Sequence, residues 1–283
     1  MKTVAALEAL ATRHETPCGQ GTLAWRSWGS GPPVLLAHGG QGAWSHFIRN
    51  IEALAVHRTV IAVDLPGHGD SAMPEEPFEH RSIAAALARG LEQIWGAALP
   101  MDMVGFSFGA SALAHLAAWH PHTARRLIII GAGGLGTPHG HIDVGTVRGL
   151  EGEAREARLR ANLLGLMLHH PESADDLALH LLQANARKAR LTVPQLVVPD
   201  RLIRILPEVA VPIDAIWGEF DRPHPDPDLH LSVLRQFDPD TEMHVIAGSG
   251  HWAMYERADQ FNAPLLQMLQ KMLRSKNSTN RGL

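Results

Sequence analysis

Short apolar runs that end in glycine-rich loops are the feature that most constrains the fold of this chain. Stretches with helical apolar spacing separate these runs, and such alternation predicts βαβ units and a parallel sheet. In a sheet of this kind, the catalytic and ligand-binding residues lie in the loops at the carboxyl ends of the strands. The six predicted strands are Pro33–Ala37, Thr59–Asp64, Met101–Phe106, Arg126–Ile130, Pro212–Trp217 and Glu242–Ala247.

The pattern changes between the fourth and fifth predicted strands. Residues 137–206 contain no clear strand, but Glu151–Leu168 and Ala174–Arg190 have helical composition and apolar spacing. The economical interpretation is one α/β core, formed by residues 1–136 and 207–283, with a helical cap inserted at 137–206. A helix over Ala258–Arg274 is expected to close the core.

Composition excludes several classes of protein. Lys and Arg number 25 against 29 Asp and Glu, a net charge of −4, so no basic face is available for nucleic acid. The single cysteine, Cys18, cannot form an intramolecular disulfide, which favours a reducing compartment. Glu8 interrupts the N-terminal apolar stretch, and no apolar run has the length of a membrane span. We therefore expect a cytoplasmic protein with a small-molecule substrate, without nucleic-acid or membrane partners; a homo-oligomer is left open.

The segment Gly105–Gly109 matches the G-x-S-x-G pattern of a nucleophile elbow. It follows a predicted strand and precedes an alanine-rich helix, which is the context that this pattern requires. A serine on so sharp a turn is strained, and side chains at the two glycine positions would collide with neighbouring chain. Ser107 is therefore the candidate nucleophile.

A serine hydroxyl needs a base, and the base needs an acid to orient it. Asp221 follows the fifth predicted strand, and His251 follows the sixth, so the order along the chain is serine, acid, histidine. We expect Asp221 to hold the tautomer of His251, and His251 to take the serine proton. Glu219 is the rival acid, but it lies nearer the strand than the pattern favours.

The glycines after the first predicted strand suggest an oxyanion hole. Two N–H donors about 3 Å from a developing oxyanion are needed. We expect one from the backbone of Phe108, directly after the nucleophile, and the other from Gly40 in the loop His38–Gly42. The chain has 18 histidines, but the close pairs among them lack a Cys or carboxylate at zinc-motif spacing. No metal or cofactor is therefore expected.

With these residues in place, the chain resembles the α/β-hydrolase superfamily over nearly its whole length. Within that superfamily it is most similar to the meta-cleavage-product hydrolases, which cleave C–C bonds in ring-opened aromatic dienoates. The resemblance implies the α/β-hydrolase fold with a helical lid over the active site. It is carried by HGGQGAWSHFIRN (38–50), DLPGHGDS (64–71), GFSFG (105–109), WGEFD (217–221) and GHWAMYERADQFN (250–262).

Two residues depart from the pattern of those C–C hydrolases. Phe106 stands where the family usually carries an asparagine before the serine, and His46 stands where a second asparagine is usual. In the family these amides help bind the dienoate, and a lid arginine binds its carboxylate. The residues expected to bind substrate here are Gly39, His46, Phe106, Asn185, Arg187, Arg190 and Trp252.

The fold alone does not choose the bond that is cleaved. The missing asparagines and the frequency of esterases favour a small, largely apolar carboxylic ester. The alternative is C–C hydrolysis of a 2-hydroxy-6-oxo-dienoate, and a second alternative is a non-catalytic ligand-binding receptor. Ser107 argues against dehalogenase and epoxide hydrolase chemistry, which needs a carboxylate nucleophile at the elbow.

Overall fold

The computed structural model describes residues 3–96 and 100–272 and contains one eight-stranded sheet. The strand order is β1-β2-β4-β3-β5-β6-β7-β8. The first two strands pair antiparallel with each other and with β4, and the remaining neighbours are parallel. The strands are β1 Thr12–Cys18, β2 Gly21–Trp28, β3 Pro33–Ala37, β4 Thr59–Val63, β5 Met101–Phe106, β6 Ala124–Ile130, β7 Ile213–Gly218 and β8 Met243–Ile246.

All six strands expected from the sequence are present, and the hairpin β1–β2 is an addition. Strand β1 is an edge strand with four exposed residues, and its sequence TRHETPC lacks the apolar run that marks a central strand. Strand β2 carries the buried indoles of Trp25 and Trp28. The hairpin escaped prediction because an edge strand buries little of its surface and needs few apolar residues.

Helices cover both faces of the sheet, as parallel strands require. On one face α3 and α4 pack over Leu35 of β3, and on the other α2 and α10 pack over Val34 and Leu36. Neighbouring residues of a strand thus point into different cores. In the described ranges the helices are α1 Val4–Ala9, α2 Ile51–Ala55, α3 His80–Trp95, α4 Phe108–Trp119, α5 Gly152–Leu166, α6 Asp176–Ala186, α7 Arg201–Ile205, α8 Pro227–Leu234, α9 Ala253–Glu256 and α10 Ala258–Gln270. Among these described helices, none has both the length and the apolar character to cross a bilayer.

The segment between β6 and β7 holds α5, α6 and α7. It covers the stretch interpreted from sequence as a cap, although the division into core and cap stays a prediction. Salt bridges join the segment to the sheet domain, with Arg49 2.6 Å from Asp175 and Lys188 2.7 Å from Asp70. The expected closing helix begins at Ala258 and ends at Gln270, and its last expected residues, 273 and 274, lie outside the described residues.

Candidate active site

Ser107 lies in a strained turn between β5 and α4. Its backbone has φ 51° and ψ −115°, a left-handed region that a residue with a side chain rarely adopts. The turn is held because the Ser107 N–H donates to the carbonyl of Ile130 at 2.8 Å. The serine side chain is half-buried at the carboxyl edge of the sheet, where the expected elbow was placed.

The two glycines beside Ser107 are required by close backbone contacts. A Cβ at Gly105 would lie 2.5 Å from the backbone nitrogen of Ala110, and one at Gly109 would lie 2.2 Å from the carbonyl oxygen of Ala37. Neither neighbour can move, because both belong to the backbone of regular elements. The local pattern therefore follows from how tightly α4 packs onto β3 and β5.

Asp221 and His251 form a buried hydrogen-bonded pair. The Nδ1 atom of His251 lies 2.8 Å from Oδ2 of Asp221, and both residues are at least 95% buried. The other carboxylate oxygen accepts the backbone N–H of His224 at 2.9 Å. Burial alone would raise the pKa of Asp221, but the interactions with His251 and His224 outweigh it and hold the pKa below its ordinary value. The carboxylate is thus ionised and able to orient the imidazole.

A glycine at the end of β6 leaves room for this pair. Gly131 has φ +47°, and a Cβ there would lie 2.8 Å from Oδ2 of Asp221 and 3.1 Å from Nδ1 of His251. The ring of His251 also packs on Phe106, with 4.8 Å between ring centres, which brings the histidine beside the residue that precedes Ser107. The role of Gly131 was missed from sequence, where it was one of many glycines at strand ends.

Glu219, the rival acid, has a different role in the structure. Its side chain is exposed, and its Oε2 accepts the backbone N–H of Gly248 at 2.8 Å. It therefore supports the loop that precedes His251 and does not contact the imidazole through a described hydrogen bond. The geometry favours Asp221 as the acid.

The loop after β3 is fixed by a neutral histidine. The backbone N–H of Leu65 donates to Nε2 of His38 at 2.9 Å, so Nδ1 carries the hydrogen and donates to the Gly39 carbonyl at 2.7 Å. Burial lowers the pKa of His38 well below its usual value, which keeps the imidazole neutral. A Cβ at Gly39 would lie 3.2 Å from Cβ of Ser107, so this loop passes directly beside the nucleophile. His38 is a positioning residue that the sequence did not reveal.

The expected oxyanion donors lie on elements suited to the task. Phe108 is the first residue of α4, where backbone N–H groups have no partner within the helix. Gly40 follows Gly39 in the loop that His38 holds, and a Cβ at Gly40 would lie 3.2 Å from Cγ1 of Val193. A residue of the segment between β6 and β7 thus covers this part of the loop. The oxyanion role of both N–H groups stays a prediction.

Three expected substrate-binding residues form one wall beside the elbow. His46 contacts Phe106 and Trp252, with ring centres 5.7 and 5.0 Å apart, and all three side chains are buried. Burial and then the neighbouring imidazole of His251 lower the pKa of His46 to about 3. Its Nδ1 has no hydrogen-bond partner among the described atoms. The wall is thus aromatic, uncharged and able to offer one polar atom.

The three cap residues expected to bind substrate have other partners in the structure. Asn185 is buried and shares a 3.3 Å hydrogen bond with Ser45, where both line a cavity of about 680 Å³ between α1 and α6. Arg187 is exposed, and Arg190 is exposed and donates to the carbonyl of Ser71. A role of either arginine in binding a substrate carboxylate stays a prediction.

Glu256 ties the loop before His251 to the turn after α5 and was not singled out from sequence. Its Oε2 accepts the N–H of Gly250, the residue before His251, at 2.6 Å. Its Oε1 accepts the backbone N–H groups of His169 and His170 at 2.9 and 2.7 Å. The residue lies inside the phrase GHWAMYE, but a buried carboxylate with these partners is visible only once the chain is folded.

The arrangement is able to perform nucleophilic catalysis on a carbonyl group. It combines a strained, half-buried serine, an imidazole oriented by a buried carboxylate, and a helix N-terminus beside the serine. In the contacts described above, the side chains around these groups are apolar residues and neutral histidines.

Comparisons with known proteins agree with this geometry. Residues 34–263 match the family model described as the alpha/beta hydrolase family. The chain is 30% identical over 252 residues to a 2-hydroxy-6-oxononadienedioate/2-hydroxy-6-oxononatrienedioate hydrolase of a Pseudomonas species, covering 83% of this chain and 87% of that protein. It also resembles two solved structures in fold. One is the esterase RhEst1 from Rhodococcus (19% identity, TM-score 0.74) and the other a meta-cleavage product hydrolase, CumD (19% identity, TM-score 0.71). Each comparison covers 92% of this chain and 98% of the other.

The fold, the elbow and the comparisons lead to one assignment. The expected resemblance to meta-cleavage-product hydrolases is confirmed by the relatives, and hydrolase chemistry is supported over receptor function. This chain belongs to the alpha/beta hydrolase family.

Proposed function

We propose that this enzyme hydrolyses a carbonyl substrate through a Ser107–His251–Asp221 triad. The observation that carries the proposal is the buried 2.8 Å contact between His251 and Asp221, beside a serine held at φ 51°. Asp221 fixes the hydrogen of His251 on Nδ1, which leaves Nε2 free to accept the proton of Ser107. The backbone N–H groups of Gly40 and Phe108 stabilise the oxyanion that forms on attack.

We further propose that the bond cleaved is the C–C bond beside the 6-oxo group of a 2-hydroxy-6-oxo-dienoate. The sequence alone favours an ester first. The curated relatives, which match 83% or more of this chain, are named instead as hydrolases of such dienoates. The similarity to these relatives extends over nearly the full length, including the cap and the loop of His251. It therefore supports a dienoate substrate more strongly than a match at the elbow alone would.

This reaction consumes one water, as ester cleavage does, but it needs an additional proton transfer. The acyl carbon gains OH from water, and the carbon that leaves gains hydrogen. In ester cleavage the alkoxy group leaves as an alcohol after His251 returns the serine proton. In dienoate cleavage the vinylic carbon leaves only after the dienol has become a ketone, which can accept the electron pair of the broken C–C bond. A neutral imidazole with an unpaired nitrogen, such as His46, is suited to bind an enol or keto oxygen near that carbon.

A carboxylic ester is the second candidate substrate, and Phe106 favours it. Phe106 is buried and forms an aromatic wall with His46 and Trp252, with no cation in the contacts described above. A dienoate carboxylate placed against that wall would need a polar partner from elsewhere, because an unpaired buried charge is costly. A neutral ester has no such requirement.

Parallel kinetics on a panel of aryl and short-chain esters and on 2-hydroxy-6-oxo-6-phenylhexa-2,4-dienoate decide between these substrates. We expect kcat/KM for the dienoate to exceed that for every ester by at least about tenfold. A dienoate rate at or below the best ester would assign the enzyme to the esterases. A chain that turns over neither class, while a fluorophosphonate probe fails to label Ser107, would contradict the triad itself.

A further inference from the structure

His224 is a buried imidazole beside the triad that the proposed mechanism does not use. It stands three residues after Asp221 and is 6% exposed. Its backbone N–H donates to Oδ1 of Asp221, but its ring atom Nδ1 lies 3.6 Å from the same oxygen, which is too far for a hydrogen bond. Within the described residues this Nδ1 has no hydrogen-bond partner. A buried nitrogen lone pair or N–H is thus left facing the catalytic carboxylate.

Asp221, His224 and His251 together present the donor atoms of a metal site. One ligand atom from each lies within 4.8 Å of the others, and the two imidazole rings are 5.1 Å apart. Two imidazole nitrogens and one carboxylate oxygen, with a fourth position open, form a set that Zn²⁺ takes readily. Tetrahedral metal bonds of about 2.0–2.2 Å place ligand atoms about 3.4 Å apart, so the three atoms, which lie within 4.8 Å of one another, need to approach by no more than about 1.5 Å.

The loop after β6 leaves space around these three side chains. A Cβ at Gly131 would lie 2.8 Å from Oδ2 of Asp221, and a Cβ at Gly133 would lie 2.6 Å from Nε2 of His224. Larger residues at these two positions would fill the space that small movements of the ligands require. The cluster is therefore both close and unobstructed on this side.

We propose that Asp221, His224 and His251 form an inhibitory site for Zn²⁺ or a chemically similar divalent transition metal. The metal takes the lone pair of Nδ1 of His251, and the hydrogen that Nδ1 donates to Asp221 moves to Nε2. Nε2 then holds a hydrogen and can no longer accept the proton of Ser107, so nucleophilic attack stops. The inhibition rests on the proposed triad, whereas metal binding does not.

The first test measures the rate at which a fluorophosphonate probe labels Ser107 in the full chain, with Zn²⁺ or with EDTA. We expect Zn²⁺ to slow labelling of the wild type, and His224→Phe to weaken the apparent Zn²⁺ affinity at least about tenfold. His122→Gln is the matched control, because His122 is an exposed imidazole that also has a histidine neighbour, His120, with ring centres 6.3 Å apart. Equal inhibition of wild type and His224→Phe, or relief by His122→Gln, would overturn the proposal.

The second test measures binding without catalysis. Ser107→Ala keeps all three ligands, so Co²⁺ should give it a visible tetrahedral absorption band that Zn²⁺ displaces, and His224→Phe in the same background should abolish the band. A band that survives His224→Phe, or no band in Ser107→Ala, would refute the site while leaving the proposed triad intact. If His224→Phe does not fold by circular dichroism, His224→Asn replaces it with the same expected outcomes.

Discussion

The backbone N–H of Gly250 and the side chain of Glu256 are joined by a 2.6 Å hydrogen bond. Through this bond one buried carboxylate holds the loop that carries His251, and the same carboxylate accepts two N–H groups from the turn that follows α5. The loop that carries His251 and the turn after α5 are therefore positioned by one side chain. Movement of the turn after α5 relative to the sheet would therefore shift the loop that carries His251.

Ser107→Ala should remove nearly all activity while the fold is retained. The acyl-enzyme cannot form without the hydroxyl, so we expect kcat to fall by about 10³-fold or more. Mass spectrometry of probe-treated wild type should find the label on Ser107, and circular dichroism should show the variant folded. Label on another residue, or activity near that of the wild type, would contradict the assignment of the nucleophile.

Asp221→Asn should be far more damaging than Glu219→Gln. Asparagine can present an N–H to Nδ1 and favours the wrong tautomer of His251, so we expect kcat to fall by about 10²-fold or more. Among the described residues, the Glu219 side chain supports the loop through an exposed hydrogen bond with Gly248, so its change should cost less than about tenfold. Steady-state kinetics of both variants check this ranking, and the reverse ranking would make Glu219 the acid. His251→Ala should match Ser107→Ala, because members of one catalytic unit are not additive.

Phe106→Asn should shift selectivity toward the dienoate. The amide would give the wall beside His46 a polar group that can bind a keto or carboxylate oxygen. We expect the ratio of dienoate to ester kcat/KM to rise about tenfold, which corresponds to about 1.4 kcal/mol. Phe106→Leu is the control for loss of aromatic volume, and it should leave the ratio within about threefold. An equal change in both variants would assign the effect to packing.

The free energy of unfolding should fall as the pH falls below about 6.5. Burial lowers the pKa of His46 and His80 to about 3 and that of His115 to about 4, while the unfolded chain keeps ordinary values. Between these limits the unfolded state binds protons that the folded state does not, so stability present above pH 6.5 is lost toward pH 4. Each group contributes a slope of up to about 1.4 kcal/mol per pH unit.

Urea denaturation at several pH values between 7.5 and 4.5 measures this slope. His80 stacks on His115, with ring centres 3.7 Å apart. His80→Phe keeps an aromatic ring at that position but cannot be protonated, so its stability should depend less steeply on pH than that of the wild type. Parallel dependences for the two proteins would exclude His80 as a contributor.

The sequence by itself determined the elements whose signals are local. The central strands are continuous apolar runs because both their faces are buried, and the elbow is readable because Gly105 and Gly109 meet the backbone on either side of Ser107. The order of Ser107, Asp221 and His251 followed from their places after the third, fifth and sixth predicted strands. The edge strand β1 lacked such a signal because it buries few side chains.

Only the tertiary structure decided which distant groups meet. Whether Asp221 or Glu219 contacts His251 depends on side-chain direction across a 30-residue separation, and the structure brings Asp221 to 2.8 Å. Burial and a backbone N–H group likewise fix the neutral tautomer of His38, and a backbone N–H group joins His224 to Asp221. The positions of these N–H groups cannot be predicted from the sequence pattern. Periodicity reports which residues are buried, whereas hydrogen-bond geometry is fixed only when separate loops pack against one another.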